Sequence, residues 1–221
     1  MKKKINLLIV DDHQIFRDGL KMLLSHFPFI GEMYEASNGR EFLDILEGIR
    51  PDIVLMDINM PVMGGIEATE KALAENSDLK IIVLTTFHDE EYVDQMLMAG
   101  VEGYMLKRST PEEFETAILR VHSGGNFFSD EILATLSLKL KSYRETEEKA
   151  SLPEFTEREQ NILELLCQGL NNEKISSTIH VSPKTIEKYK SSLFQKTNTN
   201  NTVNLVIWAF RNNVVDITDS I

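Results

Sequence analysis

Four short apolar runs, spread over the first half of the chain, constrain its fold more than any other feature. They occupy residues 5–10, 52–56, 81–84 and 103–106. Amphipathic stretches with helical spacing separate them, at residues 14–26, 39–48, 65–76, 90–99 and 111–124. A weaker strand candidate lies near residues 33–37. Five strands that alternate with five helices predict βαβ units and a parallel sheet with helices on both faces.

Polar side chains stand where the four apolar runs end. Asp12 and Asp57 follow the first two runs, and Thr85 and Lys107 follow the other two. In an open α/β sheet, ligands bind outside the carboxyl ends of the strands. We therefore expect two acids, a hydroxyl and an ammonium group to form one pocket, which would hold a divalent metal and a phosphoryl group.

Each residue type in this pocket suggests a role. The adjacent carboxylates of Asp11 and Asp12 repel each other unless a cation lies beside them, and Mg²⁺ prefers oxygen ligands. Asp57 is the candidate nucleophile, while Thr85 can donate to a phosphoryl oxygen and Lys107 supplies a positive charge. For any one of these residues a helix cap is the simpler interpretation. That interpretation weakens when four complementary groups share one edge.

The acidic charge belongs mainly to the first part of the chain. The net charge of −12 argues against nucleic-acid binding by the chain as a whole. Residues 1–125 contain 12 Lys or Arg and 22 Asp or Glu, a net charge of −10, whereas residues 152–221 contain 7 and 8, a net charge of −1. Within residues 183–196, four lysines and one glutamate leave a local charge of +3. A basic patch for nucleic acid therefore survives there.

Apolar lengths and cysteine usage favour a cytoplasmic location. No apolar run approaches the roughly 18 residues of a membrane span, and the first one is too short for a signal peptide. Cys167 is the single cysteine, so no intrachain disulfide can form. It lies on an apolar helical face, where we expect a buried structural thiol rather than a nucleophile.

From residue 152 onward the sequence signals are helical. They comprise a capping box from Thr156 to Glu159, a helix end at Gly169, a cap at Asn172, a helix start at Ser182-Pro183 and a last helix over about 201–211. Residues 126–151 are more polar, and we interpret them as a helix or tether.

The stretch from 172 to 197 predicts two helices joined by a short turn. On a helical wheel of about 100° per residue, Ile186, Tyr189 and Leu193 form the inward face. The opposite arc, which a recognition helix would present to a major groove, consists of Lys184, Glu187, Lys188, Ser191 and Gln195. Phosphate contacts are expected from Lys184, Lys190, Lys196, Ser182 and Thr185. For the lysines alone, a solvated helix face is the simpler alternative.

The final helix carries apolar residues on more than one face. Its predicted core face consists of Val203, Val206, Ile207 and Phe210. Leu205 and Trp208 are expected to point elsewhere, and an apolar pair off the core face suggests a protein contact. We therefore predict a homodimer through these two residues. Burial of Trp208 against the tether or the first domain is the alternative.

The segment from Met56 to Gly65 closely resembles the phosphorylation loop of two-component receiver domains. With the other pocket residues, the resemblance covers about the first 125 residues. It implies a flavodoxin-like, five-stranded parallel sheet of order 2-1-3-4-5 and a sensor histidine kinase as donor. The implied site comprises Asp57 as phosphoacceptor, Mg²⁺ at Asp11, Asp12, Asp57 and the Asn59 backbone carbonyl, Lys107 as phosphoryl ligand, and Thr85 with Tyr104 as a switch.

Residues 155–159, 169–175 and 181–189 resemble the LuxR-type helix-turn-helix. The whole chain is thus similar to the NarL/FixJ class of response regulators. This resemblance implies a receiver over 1–125, a linker over 126–151 and a small four-helix DNA-binding domain over 152–221. It also implies a cytoplasmic transcription factor that binds double-stranded DNA, without a membrane, and that dimerises on phosphorylation or on DNA.

Some positions depart from the patterns of these families. Arg108 follows the pocket lysine where many receivers have a cis proline, and a cis bond at a non-proline residue costs about 2.5–4 kcal/mol. Tyr189 stands where histidine is usual, and Ser176 and Ser177 stand where alanine is common. Glu187 occupies a position where a base-contacting, often basic residue is expected. It could accept a hydrogen bond from a cytosine amine, or it could weaken binding.

Two other functions remain open at this point. One is a phosphohydrolase that turns over through an aspartyl-phosphate, although the Asp-x-Asp spacing of haloacid-dehalogenase-like enzymes is missing around Asp11 and Asp12. The other is a dimeric DNA-binding regulator that works without phosphorylation. The preferred prediction is a regulator that accepts a phosphoryl group on Asp57 and is not a turnover enzyme, apart from loss of that group by autodephosphorylation.

Overall fold

The computed structural model describes residues 4–86, 90–129, 132, 152–199, 201–212 and 214–215. The chain forms two compact units. We call Met1–His122 with Phe127–Ser129 the sheet unit, and Ser123–Asn126 with Asp130–Ile221 the helical unit. Most of the predicted linker, at 130–131 and 133–151, lies outside the described residues. Among the described residues, no helix has both the length and the apolar character of a membrane-spanning segment.

The sheet unit alternates strands and helices. Its strands are β1 (Ile5–Val10), β2 (Ile30–Ala36), β3 (Ile53–Asp57), β4 (Ile81–Thr85), β5 (Gly103–Leu106) and β6 (Phe127–Phe128). Its helices are α1 (Gln14–Leu24), α2 (Gly39–Leu46), α3 (Gly65–Glu75), α4 (Glu90–Ala99) and α5 (Pro111–His122). All strand pairs are parallel, and their order is β2-β1-β3-β4-β5-β6.

The predicted parallel sheet and its order are confirmed, with two differences. A sixth strand, Phe127–Phe128, pairs with β5 inside the segment that was predicted to be a linker. Two residues are too few to show the alternation by which a strand is recognised. The second strand begins at Ile30 rather than near residue 33, because Gly31 and Glu32 hide its start in the sequence.

Both faces of the sheet are covered by helices. Leu7, Ile9 and Leu55 are fully buried on the face where α1 and α5 pack. Their neighbours Leu8 and Val54 are equally buried on the opposite face, where α2, α3 and α4 lie. Since side chains alternate along a strand, covering both faces requires continuous apolar runs, as the sequence has.

Two local features determine where helices α5 and α3 begin. Thr110 and Glu113 form a reciprocal capping box at the start of α5, with Thr110 N donating to Glu113 Oε2 at 2.7 Å. At the start of α3, Gly65 packs against the backbone of β3. A Cβ atom there would lie 1.9 Å from the carbonyl oxygen of Asp57, so only glycine fits.

The helical unit contains α6 (Glu157–Cys167), α7 (Asn172–Thr178), α8 (Pro183–Thr197) and α9 (Thr202–Arg211). The predicted capping box at Thr156 and the cap at Ser182 are confirmed. The cap of α7 is Asn171 rather than Asn172, since the Asn171 side chain accepts from Lys174 N at 3.0 Å. Two adjacent asparagines cannot be told apart by cap preference alone.

The predicted orientation of the last helix is wrong for Leu205 and confirmed for Phe210, which is buried as expected. Leu205 is fully buried, and Ala209 and Phe210 lie beside it in the core of the helical unit. Val206 and Trp208 are partly buried against that core. The start of α9 at Thr202 places Leu205 on the inward face, so Leu205 is not available as a surface contact. A short apolar helix has several possible faces in sequence.

Candidate functional site

A lysine and two carboxylates meet at the carboxyl edge of the sheet. Lys107, just after β5, places Nζ 2.6 Å from Asp11 Oδ2 and 2.8 Å from Asp57 Oδ2. Asp11 is fully buried, and the side chains of Asp57 and Lys107 are 7% and 9% exposed. Asp57 Oδ1 accepts from the backbone N–H of Ile58 at 2.8 Å. Three residues distant in sequence therefore share one pocket, as the strand ends predicted.

Asp12 and His13 form the solvent-exposed side of this pocket. His13 Nδ1 lies 2.8 Å from Asp12 Oδ1 and 3.1 Å from Asp11 Oδ1. One ligand atom from each of Asp11, Asp12, His13 and Asp57 falls within 4.8 Å of the others. His13 directly precedes α1, and its ring faces the two acids.

The electrostatics of the pocket leave negative charge uncompensated. Burial raises the pKa of the Asp57 carboxyl group, and the bond from Lys107 opposes that shift. Burial would lower the pKa of Lys107, but its bonds to Asp11 and Asp57 outweigh burial and raise it. One ammonium group thus meets two buried carboxylates, and Asp12 adds a third at the open side, which gives these four side chains a formal net charge of −2. Hard oxygen ligands with this charge fit a divalent cation such as Mg²⁺.

The remaining predicted residues line the same edge. Thr85, the last residue of β4, is buried, and its carbonyl oxygen accepts from Lys107 N at 2.8 Å. Tyr104 on β5 is fully buried, which places its ring inside the unit rather than half-exposed. Asn59 is exposed two residues beyond Asp57. No described peptide is cis, so the bond from Lys107 to Arg108 is trans.

One residue that contacts this site was missed in the sequence. Arg17 of α1 is 7% exposed, and its guanidinium donates to the carbonyl oxygen of Asp11. It also pairs with Glu35 of β2, with Nε 3.2 Å from Oε2. Arg17 thereby connects the acid pair to two neighbouring elements. Nothing in the sequence distinguishes it from a surface arginine, because Glu35 is far along the chain.

An apolar groove runs from the pocket along α1. Its volume is about 760 Å³, and it is lined by His13, Ile15, Phe16, Gly19, Leu20, Leu23, Thr86, Lys107, Arg108, Ser109 and Phe114. Ile15 and Met22 lie seven residues apart on one face of α1, and they are 88% and 71% exposed. Lys107 Nζ lies 5.0 Å from the centre of the Phe16 ring. Exposed apolar surface therefore adjoins the charged pocket directly.

In the helical unit, α8 has the two faces predicted for it. Ile186 and Leu193 are fully buried and Tyr189 is partly buried. The exposed arc consists of Lys184, Glu187, Lys188, Ser191 and Gln195. Ser182 caps the helix and lies 2.8 Å from the Thr185 hydroxyl. This arc is the part of α8 that a DNA groove could receive.

Two lysines of α8 have partners within the protein. Lys190 is 7% exposed and lies 3.9 Å from Glu187 Oε1. Lys196 Nζ lies 2.6 Å from Glu159 Oε2 and 3.0 Å from the carbonyl oxygen of Glu154. The predicted contact of these two lysines with DNA phosphates stays a prediction, and in the structure both ammonium groups lie beside carboxylates. Their charges are used to neutralise carboxylates.

Lys196 belongs to a second cluster of charged and polar groups, which has Glu159 at its centre. Its carboxylate accepts from Thr156 N at 2.9 Å, from Ser192 Oγ at 2.8 Å and from Lys196. Burial opposes its ionisation, yet these bonds lower the pKa of Glu159 to about 2. The cluster joins the start of the unit, α6 and α8.

Trp208 and Cys167 both pack against the apolar core of the helical unit. The Trp208 ring packs edge-to-face on Phe155, with centroids 5.9 Å apart. Its partner therefore lies within the helical unit, whereas the predicted alternatives were a dimer contact or burial against the tether or the first domain. Burial raises the pKa of the Cys167 thiol to about 12, and the residue packs against the helical core. The expected structural role of this cysteine is thus supported.

The similarity to known proteins covers nearly the whole chain. Residues 7–119 match the family described as the response regulator receiver domain, and residues 153–209 match the bacterial regulatory proteins of the luxR family. The transcriptional regulatory protein DegU of Brevibacillus brevis is 30% identical, with 98% of this chain and 97% of that protein covered. The nitrate/nitrite response regulator NarL of Escherichia coli strain K12 is 31% identical, covering 94% of this chain and 96% of that protein.

A solved structure agrees with these relatives. The crystal structure of the response regulator ChrA, from a haem-sensing two-component system, has a TM-score of 0.51 and 26% sequence identity. The match covers 96% of this chain and 99% of ChrA. With its parallel sheet, its acidic pocket and its helix-turn-helix, this chain belongs to the two-component response regulators with a receiver domain and a LuxR-type DNA-binding domain.

Proposed function

We propose that this regulator accepts a phosphoryl group on Asp57 from a sensor histidine kinase and thereby controls its binding to DNA. The observation that carries the proposal is the position of Lys107, which contacts both Asp11 and Asp57, while Asp12 adds a third carboxylate at the open side of the cluster. A carboxylate at a parallel sheet edge, next to a fixed cation and to further acids that can hold a divalent cation, suits the transfer of an anionic group.

The chemistry requires one bond to form and one to break. An Asp57 oxygen attacks the phosphorus of a phosphohistidine, the P–N bond breaks, and its electron pair returns to the imidazole of the donor. Lys107 and the Thr85 hydroxyl offset the charge of the phosphoryl oxygens. The chain takes up one phosphoryl group and does not turn over a small substrate, apart from slow hydrolysis of its own aspartyl-phosphate.

Mg²⁺ would be held by Asp11, Asp12, Asp57 and the backbone carbonyl of Asn59. When bound, such a cation neutralises charge on the transferring phosphoryl group. The cluster charge of −2 and its oxygen-rich ligands support this assignment. Thr85 and Tyr104 then act as the switch, with the threonine hydroxyl drawn toward the phosphoryl group and the tyrosine ring kept inward.

The apolar groove beside the pocket suits the kinase. A phosphohistidine must reach Asp57 at this edge, so the donor protein covers the adjoining surface of α1. Ile15 and Met22 are exposed there, and exposed apolar patches of this kind mark protein interaction sites.

The helical unit binds double-stranded DNA through α8. We assign Ser182, Lys184, Thr185, Glu187, Lys188, Ser191 and Gln195 to this contact, with Lys190 and Lys196 supporting the helix. The working form is a homodimer in the cytoplasm, formed on phosphorylation or on DNA. The proposed domains remain the receiver over 1–125, the linker over 126–151 and the DNA-binding domain over 152–221.

The test compares the wild type and Asp57→Ala with a small-molecule phosphodonor and Mg²⁺. The wild type should gain the mass of one phosphoryl group, and its dimerisation or DNA affinity should rise. Asp57→Ala should show neither change, whereas the matched variant Asp44→Ala, an exposed acid on α2, should behave like the wild type. Equal regulated binding by wild type and Asp57→Ala would instead support the phosphorylation-independent function.

A further inference from the structure

Glu187 occupies a position from which a base edge can be read. It is the fifth residue of α8, and its side chain is 56% exposed. The N-terminal part of a recognition helix is the part whose side chains contact bases in the major groove. Lys184 and Lys188 flank Glu187 on the same exposed arc, where they can approach the phosphates on either side.

The Glu187 carboxylate is held in one orientation. The side-chain amide of Asn172, at the start of α7, donates to Glu187 Oε1, and Lys190 Nζ lies 3.9 Å from the same oxygen. Among the contacts of the described residues, none uses the second oxygen, Oε2. One oxygen is therefore anchored by the protein, and the other remains as an acceptor on the exposed arc. An acceptor that is already ordered loses less side-chain entropy on binding.

The neighbouring charge makes an acid tolerable at this place. A carboxylate facing DNA is repelled by the phosphates, so it is expected only where a nearby cation offsets it. Lys190 provides that cation and is itself largely buried, at 8% side-chain exposure. Glu187 can thus act as a hydrogen-bond acceptor without presenting its full charge to the duplex.

A carboxylate that only accepts hydrogen bonds selects among the bases. In the major groove, the exocyclic amines of cytosine (N4) and adenine (N6) are the donors. Adenine also presents the acceptor N7 beside its amine, which a carboxylate repels, whereas cytosine presents its amine without this neighbour. The chemistry therefore favours cytosine.

We propose that Glu187 specifies a cytosine in each half-site of the DNA, with Asn172 and Lys190 holding its carboxylate in position. This inference rests on the proposed DNA-binding function and adds a base preference to it. A preference of roughly tenfold for cytosine over the other bases at one position is expected from a contact of this kind.

The experiment selects duplexes from a randomised library with the full-length phosphorylated protein and sequences the bound DNA. Glu187→Gln is the informative variant, because its amide both donates and accepts and so matches adenine N6 and N7. Glu173→Gln, an exposed acid on α7 outside the recognition helix, is the matched control.

The wild type and Glu173→Gln should enrich cytosine at one position of each half-site, and Glu187→Gln should lose that preference and gain adenine there. Loss of the cytosine preference in Glu187→Gln alone supports the proposal. The same base profile in the wild type and Glu187→Gln overturns it while leaving DNA binding intact. If the wild type enriches no sequence at all, the proposed function fails, and this inference fails with it.

Discussion

The two units each contain a lysine–carboxylate cluster, and the clusters differ in how completely their charges are matched. In the sheet unit, Lys107 meets Asp11 and Asp57, and Asp12 adds a third acid at the open side. In the helical unit, Lys196 meets one acid, Glu159, whose oxygens also accept from the capping threonine and a serine of α8.

The difference separates a reactive site from a structural one. Glu159 has a pKa lowered to about 2, because its bonds favour the ionised form despite burial. The pKa of Asp57 is raised by burial instead, since one lysine is shared between two buried acids. A cluster with unmatched charge and an open side can take a further cation and a phosphoryl group. A saturated cluster only fixes the helices that contribute to it.

The largest effect should follow removal of the open-side acid. Asp12→Asn lowers the charge of the cluster, and we expect Mg²⁺ binding to weaken about 100-fold, or roughly 2.8 kcal/mol. Calorimetric titration of Mg²⁺ into wild type, Asp12→Asn and the control Asp44→Asn measures this. Equal affinity in all three proteins would mean that the acidic edge is not the cation site.

Removing the lysine of the saturated cluster should affect stability and not ligand binding. Lys196→Met leaves the buried Glu159 carboxylate without its cation, and we expect a loss of roughly 2–3 kcal/mol in the unfolding free energy. Trp208 is the single tryptophan and packs on Phe155, so its fluorescence reports unfolding of the helical unit in denaturant. The control Lys174→Met, at an exposed position, should unfold like the wild type. If Lys196→Met is as stable as the wild type, the structural role assigned to this cluster is wrong.

The next largest effect should be a dependence of the unfolding free energy on pH that comes from Glu159. Glu159 has a folded pKa of about 2 against an ordinary value of 4.5, so its stabilisation is fully present above pH 4.5 and is lost as the pH falls toward 2. We expect this loss to be about 2 kcal/mol. The Trp208 fluorescence transition in urea, measured between pH 6 and the acid limit, should depend on pH in the wild type and less in Glu159→Gln. Parallel pH profiles would contradict the assignment.

The smallest effect concerns the backbone beside the reactive cluster. Val62 has φ of 70° and is 83% exposed, and Met63 N donates to Pro61 O at 2.8 Å, which makes Val62 the centre of a γ-turn. A β-branched residue is strained at such a φ. Val62→Gly should therefore stabilise the sheet unit by about 0.5–1 kcal/mol, measured by thermal unfolding, and a destabilised variant would show that the valine side chain contributes more than its strain.

Sequence patterns predicted the reactive cluster better than the structural one, for a physical reason. Asp12, Asp57, Thr85 and Lys107 follow apolar runs, and parallel strands bring such positions to one edge whatever the intervening sequence. The contact between Glu159 and Lys196 depends on how α6 and α8 pack, which periodicity does not specify. The same limit applies to Arg17, whose partner Glu35 lies on another element.

Short or ambiguous elements were the other source of error. Leu205 was placed on the surface because α9 is apolar around much of its circumference, and only packing selects its buried face. The two residues of β6 form a strand because β5 offers an unpaired edge. The exposed arc of α8, in contrast, was predicted correctly because its polar and apolar faces are distinct.

A crossed measurement tests the central claim that one cluster is reactive and the other structural. Phosphoryl uptake, by intact mass with a small-molecule phosphodonor and Mg²⁺, and unfolding free energy would be measured together for Asp57→Asn and Glu159→Gln. The account predicts that Asp57→Asn loses phosphoryl uptake without losing stability, and that Glu159→Gln keeps uptake while its helical unit is destabilised. Phosphoryl uptake retained in Asp57→Asn, or unchanged stability in Glu159→Gln, would contradict it.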